Sequence, residues 1–119
     1  MDPMLENTAE VLRLLGQPFR LQILLVIATD EVCVCHLEAL LGLRQAAISQ
    51  HLMGLRRAGL VLARRKGRFM YYRLVNPDLM TLVLRAAELC GMDSAALQAR
   101  YNKSVPGCHC SRCQPEGNC

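Results

Sequence analysis

The chain has 119 residues, 52% hydrophobic and 20% charged, with a formal net charge of +4 and seven cysteines. That is a globular composition of about one domain, which excludes a disordered protein and leaves only a modest core. The acidic, polar start MDPMLENTAE is unlike a signal peptide, and the most apolar stretch, residues 21–28, is too short for a bilayer; no membrane association and a cytoplasmic location are expected.

In chain order, Leu5, Leu12 and Leu15 predict a helix over residues 5–15, ended by Gly16. Pro18 suits the first turn of a second helix running to residue 28. Asp30 is a candidate N-cap for a short helix over 34–41 closed by Gly42, and a longer helix follows over 44–58, ended by Gly59. The period then changes. LVLARR and FMYYRLV, around a tight turn at Lys66-Gly67, predict a two-stranded hairpin with a basic tip. Asn76-Pro77 opens a further helix whose apolar stripe is Leu79, Leu82, Val83, Ala86, Leu89 and Cys90. So wide a stripe needs a cover, and a second copy, joined by the first helix, is expected to supply it. The chain therefore divides into a folded domain, residues 1–101, and a cysteine-rich tail, residues 102–119, mobile unless a ligand orders it.

This order, mainly α with a small β-hairpin, is that of a winged helix–turn–helix domain, so residues 1–101 are expected to form a DNA-binding and dimerisation domain. Within the longer helix Ala47, Ile48, Leu52 and Leu55 supply the buried face. Arg44, Gln45, Ser49, Gln50, His51 and Arg56 are left outward, side chains suited to base edges and phosphates in a major groove. Charge agrees: between Glu38 and Asp78 there is no acidic residue, while eight of the 14 basic residues fall there. Ser49, Gln50 and His51 are assigned to the groove, with Arg44 and Gln45 at its edge and His51 a neutral donor to phosphate. The wing cations Arg64, Arg65, Lys66 and Arg68 are placed near phosphates or an adjacent minor groove.

EVCVCHL, RQAAISQHL, LRRAGLV and RRKGRFMYYRL occur in the order of the pattern ELCVCDL, SQSAVSQHL, LRxAGLV and RRxGRxxYYRL. In these motifs, over roughly residues 8 to 90, the chain resembles the ArsR/SmtB family of metal-sensing repressors. The resemblance implies a homodimer with first and last helices at the interface, an inverted-repeat operator, and release by an inducer. Two recognition helices would lie roughly 34 Å apart on the duplex. No nucleophile–base pair or phosphate loop suggests an enzyme.

In a reducing compartment seven cysteines, an odd number, read as metal ligands or sensors before disulfides. Cys33 and Cys35 could be core residues. Against that stand His36 beside them, the cysteine-rich tail, and a helix start that favours thiolate. Side chains at i and i+2 of a helix point roughly 200° apart, so the two sulfurs cannot meet one atom while the first turn stays intact. The family's last-helix zinc site is not expected here, since NPDLMTLVLRAAELC has Asp78 and no histidine. Arsenic sensors of the family place a third cysteine where this chain has Glu38. The resemblance thus implies As(III) or Sb(III) bound by Cys33 and Cys35, completed by tail cysteines among Cys108, Cys110, Cys113 and Cys119. His36 as a nitrogen ligand would instead suit Zn(II), Cd(II) or Pb(II). Also open are a thiol redox or persulfide sensor, a separate zinc held by Cys108, His109, Cys110 and Cys113, and, for Cys90, a packed core or interface thiol.

Overall fold

The computed structural model describes residues 1–28 and 30–105. Helix α1 (Pro3–Leu15) begins at Asp2, whose carboxylate accepts from the Met4 amide at 2.9 Å. Gln17 caps α2 (Pro18–Ile27) in the same way, accepting from the Phe19 amide at 2.8 Å. In α2 five consecutive residues, Ile23, Leu24, Leu25, Val26 and Ile27, are buried. A helix apolar on every side must be surrounded, and α3, α4, α5, α6 and the sheet all pack on it.

A two-residue strand, β1 (Val32–Cys33), follows, and the chain turns directly into α3 (Val34–Leu41). Cys33, not Asp30, is the N-cap: pairing of β1 keeps the backbone extended through Cys33 (φ −86°, ψ 165°), while the Asp30 carboxylate accepts from the Glu31 amide. Gly42 ends α3 with φ 67°, a left-handed conformation that costs a side chain-bearing residue strain and that turns the chain toward α4 (Gln45–Arg57). Ile48, Leu52 and Leu55 anchor α4 in the core.

Strands β2 (Val61–Lys66) and β3 (Phe69–Leu74) form the hairpin, turned at Gly67 with φ 62°. The sheet has three strands in the order β1-β3-β2, all antiparallel, with Cys33 opposite Tyr71 and Tyr71 opposite Arg64. Helix α5 (Asp78–Leu89) buries Leu79, Met80 and Val83. Sequence periodicity did not announce the last helix, α6 (Ser94–Tyr101). Asp93 caps it, and two hydrogen bonds dock it on α2: Gln98 Nε2 to the Leu25 carbonyl at 3.0 Å and Gln22 Nε2 to the Tyr101 hydroxyl at 3.2 Å. No described helix is long and apolar enough to cross a membrane.

Candidate nucleic-acid interface and thiol site

The α3–turn–α4 unit presents Arg44, the α4 N-cap, with Gln45, Ser49, Gln50 and Arg56, all exposed. His51 is placed differently from its neighbours. Its ring is half-buried, tilted at 6.4 Å from the Phe19 ring, and its Nδ1 accepts a hydrogen bond from Arg20 Nε at 3.3 Å. Burial first, and the Arg20 charge second, lower its pKa from the ordinary 6.5. The neutral ring with Nδ1 accepting carries its proton on Nε2, so only that nitrogen remains a donor. Arg20 also donates from Nη1 to the Leu14 carbonyl at 3.4 Å, so one side chain ties the end of α1 to the recognition helix.

The hairpin tip carries Arg65, Lys66 and Arg68, all exposed. Arg64 is held instead: its Nε donates to Glu31 Oε2 at 3.2 Å, its Nη2 meets Glu31 Oε1, and its guanidinium carbon lies 5.5 Å from the Tyr71 ring centre. Sequence reasoning singled out neither Arg20 nor Glu31. Arg20 is the only cation within α2, a helix that is otherwise mostly apolar, and that is the available signal.

The two neighbouring cysteines occupy unlike settings. Cys33, the last residue of β1, is 1% exposed, whereas Cys35 in the first turn of α3 is exposed; neither is in a disulfide. His36 is fully buried and Glu38 half-buried. Two thiols are a soft donor set that suits a thiophilic ion. Among the described residues no three His, Cys, Asp or Glu side chains converge on a metal position. Cys108, Cys110, Cys113 and Cys119, with His109, lie outside the described residues. Cys90 is exposed at the C-terminal end of α5, which corrects the packed-core reading and leaves the interface one. It lines an open apolar groove of about 630 Å³ between α1, α2, α5 and α6, with Leu12, Leu21, Leu82 and Met92.

A sequence profile of the bacterial regulatory protein, arsR family, matches residues 17–62, from the α2 cap to the start of β2. The HTH-type transcriptional repressor SmtB of Mycobacterium tuberculosis is 38% identical over 90 residues, 76% of this chain and 67% of that protein. The arsenic resistance transcriptional regulator ArsR1 of Pseudomonas putida is 46% identical over 65 residues, 54% of this chain and 51% of that one. The chain thus spans about half to two thirds of these relatives' length. Among solved structures, a homodimeric winged helix–turn–helix DNA-binding domain from Mycobacterium bovis superposes with a TM-score of 0.63 at 31% identity, covering 75% of this chain and 87% of that one. With its exposed polar α4 face and basic hairpin, the chain belongs to the ArsR/SmtB family, whose members are DNA-binding transcriptional regulators and not enzymes.

Proposed function

We propose that this chain is a cytoplasmic transcriptional repressor that binds an inverted-repeat operator as a homodimer and is released when trivalent arsenic or antimony is bound by Cys33 and Cys35, with Cys108, Cys110 or Cys113 completing a three-sulfur set. The dimer reading is supported by the apolar surface left on α1 and α5, where Leu12, Leu82 and Leu89 are exposed, Leu89 to 90%. The structural relative from Mycobacterium bovis is itself homodimeric. In DNA binding, Ser49 and Gln50 would read base edges, with His51 Nε2 donating to a phosphate. Arg44, Gln45 and Arg56 would flank the groove, and Arg65, Lys66 and Arg68 would lie along the backbone.

The observation that carries the inducer reading is the split setting of the thiols. Cys33 is buried opposite Tyr71 just before the first turn of α3, and Cys35 is exposed on that turn, so an atom gripped by both sulfurs would draw Cys33 from its place or open the turn. Helix α3 packs directly on α4, so either change disturbs the support of the recognition helix. A differential cost of about 1–3 kcal/mol between free and DNA-bound dimers gives about a 5- to 150-fold loss of operator affinity. The relative ArsR1 carries arsenic resistance in its name, which agrees with this choice of ion.

The deciding experiment is operator binding by fluorescence anisotropy in reductant, with arsenite, antimonite, Cd(II), Pb(II) and Zn(II) added separately, for the wild type, Cys33→Ser and Cys35→Ser. Release by arsenite, lost in both variants, is expected. Arsenite release that survives both substitutions defeats the site assignment. Preferential release by Zn(II), Cd(II) or Pb(II) moves the assignment to a metal-ion sensor, and release by a polysulfide to a thiol sensor.

A further inference from the structure

Strand β1 is only two residues long, too short a ladder to hold a hairpin by backbone pairing alone. Across the sheet Cys33, Tyr71 and Arg64 form one cross-strand row, the middle residue paired with both others. Residues directly opposite one another share a face, and Arg64 accordingly lies over the Tyr71 ring. The Arg64 guanidinium then returns to the chain segment of Cys33 by gripping both carboxylate oxygens of Glu31. Glu31 is 19% and Arg64 51% exposed at the side chain, so the pair is partly withdrawn from solvent. Arg64 is also the residue immediately before the tip cations Arg65 and Lys66.

We propose that Glu31 is a positioning residue for operator binding: through Arg64 it clamps the wing to the Cys33 segment, so that occupancy of the thiols reaches DNA through the wing as well as through α4. The inference rests on Cys33 and Cys35 being the inducer site. Glu31 and Cys33 are two residues apart, a span of about 7 Å when extended. Cys33 cannot leave the row without drawing on the two peptide units that hold the Glu31 carboxylate in its two-point grip. Once that grip opens, Arg64 no longer bridges β2 to β1, and the tip cations lose their fixed position.

The sign of the effect separates this from the simpler alternative. Were Arg64 a phosphate contact competing with Glu31, removing the carboxylate would free the cation and tighten DNA binding. If Arg64 is a clamp, Glu31→Gln, which keeps the shape and deletes the charge, weakens it. The test is operator anisotropy with and without arsenite for the wild type, Glu31→Gln, Arg64→Gln and the double variant, at equal folded content by circular dichroism. Arsenite binding to the DNA-free proteins is followed by thiolate absorbance.

Each single variant is expected to lose about two- to fivefold in affinity without arsenite, the range for a charge pair of this exposure. The arsenite-loaded forms should all bind DNA alike, because the clamp is already open in them. The double variant should match the single ones, not their product. Glu31→Gln should bind arsenite in the absence of DNA at least as tightly as the wild type. Tighter operator binding by Glu31→Gln overturns the proposal, as does unchanged binding, or an equal loss in the arsenite-free and arsenite-loaded forms. If arsenite fails to release the wild type, the inducer reading fails and the relay falls with it. The arsenite-free affinities then still decide whether Glu31 clamps the wing.

Discussion

Replacing Arg20 with methionine tests whether the corner of α1 and α2 fixes the recognition helix. Methionine keeps the apolar stem and deletes two hydrogen bonds, Nε to His51 Nδ1 at 3.3 Å and Nη1 to the Leu14 carbonyl at 3.4 Å. Both are long, so each contributes about 0.5–1 kcal/mol, together about 1–2 kcal/mol. For a domain of this size that is a fall in Tm of roughly 4–12 °C, read at fixed protein concentration because association shifts Tm. The pH dependence adds a second check. Burial and Arg20 both depress the His51 pKa below 6.5, so its contribution to stability is full above pH 6.5 and is lost as pH falls through the folded-state value. Without Arg20 only burial remains, the depression is smaller, and less stability is lost in acid. The Tm gap between wild type and Arg20→Met should therefore narrow below pH 6.5. A variant that melts with the wild type, or a gap that widens in acid, would refute the linkage.

Gly54 lies inside α4, and a Cβ added there would stand 3.4 Å from Arg20 Nη2, the far end of a flexible side chain. Gly54→Ala should therefore stabilise the fold by about 0.5–1 kcal/mol in urea unfolding, since helix propensity outweighs so small a displacement. Leu82→Asp places a charge in the apolar groove beside Leu12 and should give monomers in sedimentation velocity, with operator affinity lost in parallel. Lys66→Gln, one exposed wing cation per protomer, should weaken binding across operator sequences and lower the slope of log K against log salt by about two per dimer. Cys90→Ser should leave arsenite release intact, because Cys90 caps α5 at the groove, away from β1 and α3; lost release in the anisotropy assay would move sensing to the interface.

Elements with a strong period or a clear punctuating glycine could be read from the residues. The helix pair ended by Gly42, the recognition helix and the hairpin all stand within a residue or two of expectation. Strand β1 could not be read, because VC inside EVCVCHL is equally a helix start; it is a strand only by virtue of Tyr71 and Tyr72, about forty residues later. Helix α6 has small and polar residues without a stripe, and two side-chain hydrogen bonds to α2 dock it. His51 shows a different limit. Ile48, His51, Leu52 and Leu55 are spaced i, i+3, i+4 and i+7, so the period itself places His51 on the margin of the buried face, where only its polarity argued for the outside. The Glu31–Arg64 pair spans 33 positions and leaves no local trace.

If the proposed inducer is held at Cys33, the position of that residue would give a small event a large reach. It is at once the end of β1, which pairs with the wing, and the N-cap of α3, which packs on α4. A thiol on the exposed face of α3 alone, as Cys35 is, could gain a ligand with the helix undisturbed. A thiol buried alone could gain one only by local unfolding. At the proposed site, one of each on either side of a strand-to-helix junction would make joint ligation strain that junction while leaving the exposed partner open to first capture. In the proposed dimer, two-fold symmetry would double whatever each junction contributes, so a coupling of about 1–3 kcal/mol per dimer would ask for only about 0.5–1.5 kcal/mol from each protomer. That is the scale of one or two hydrogen bonds, so release by the proposed route would leave the core around α2 intact.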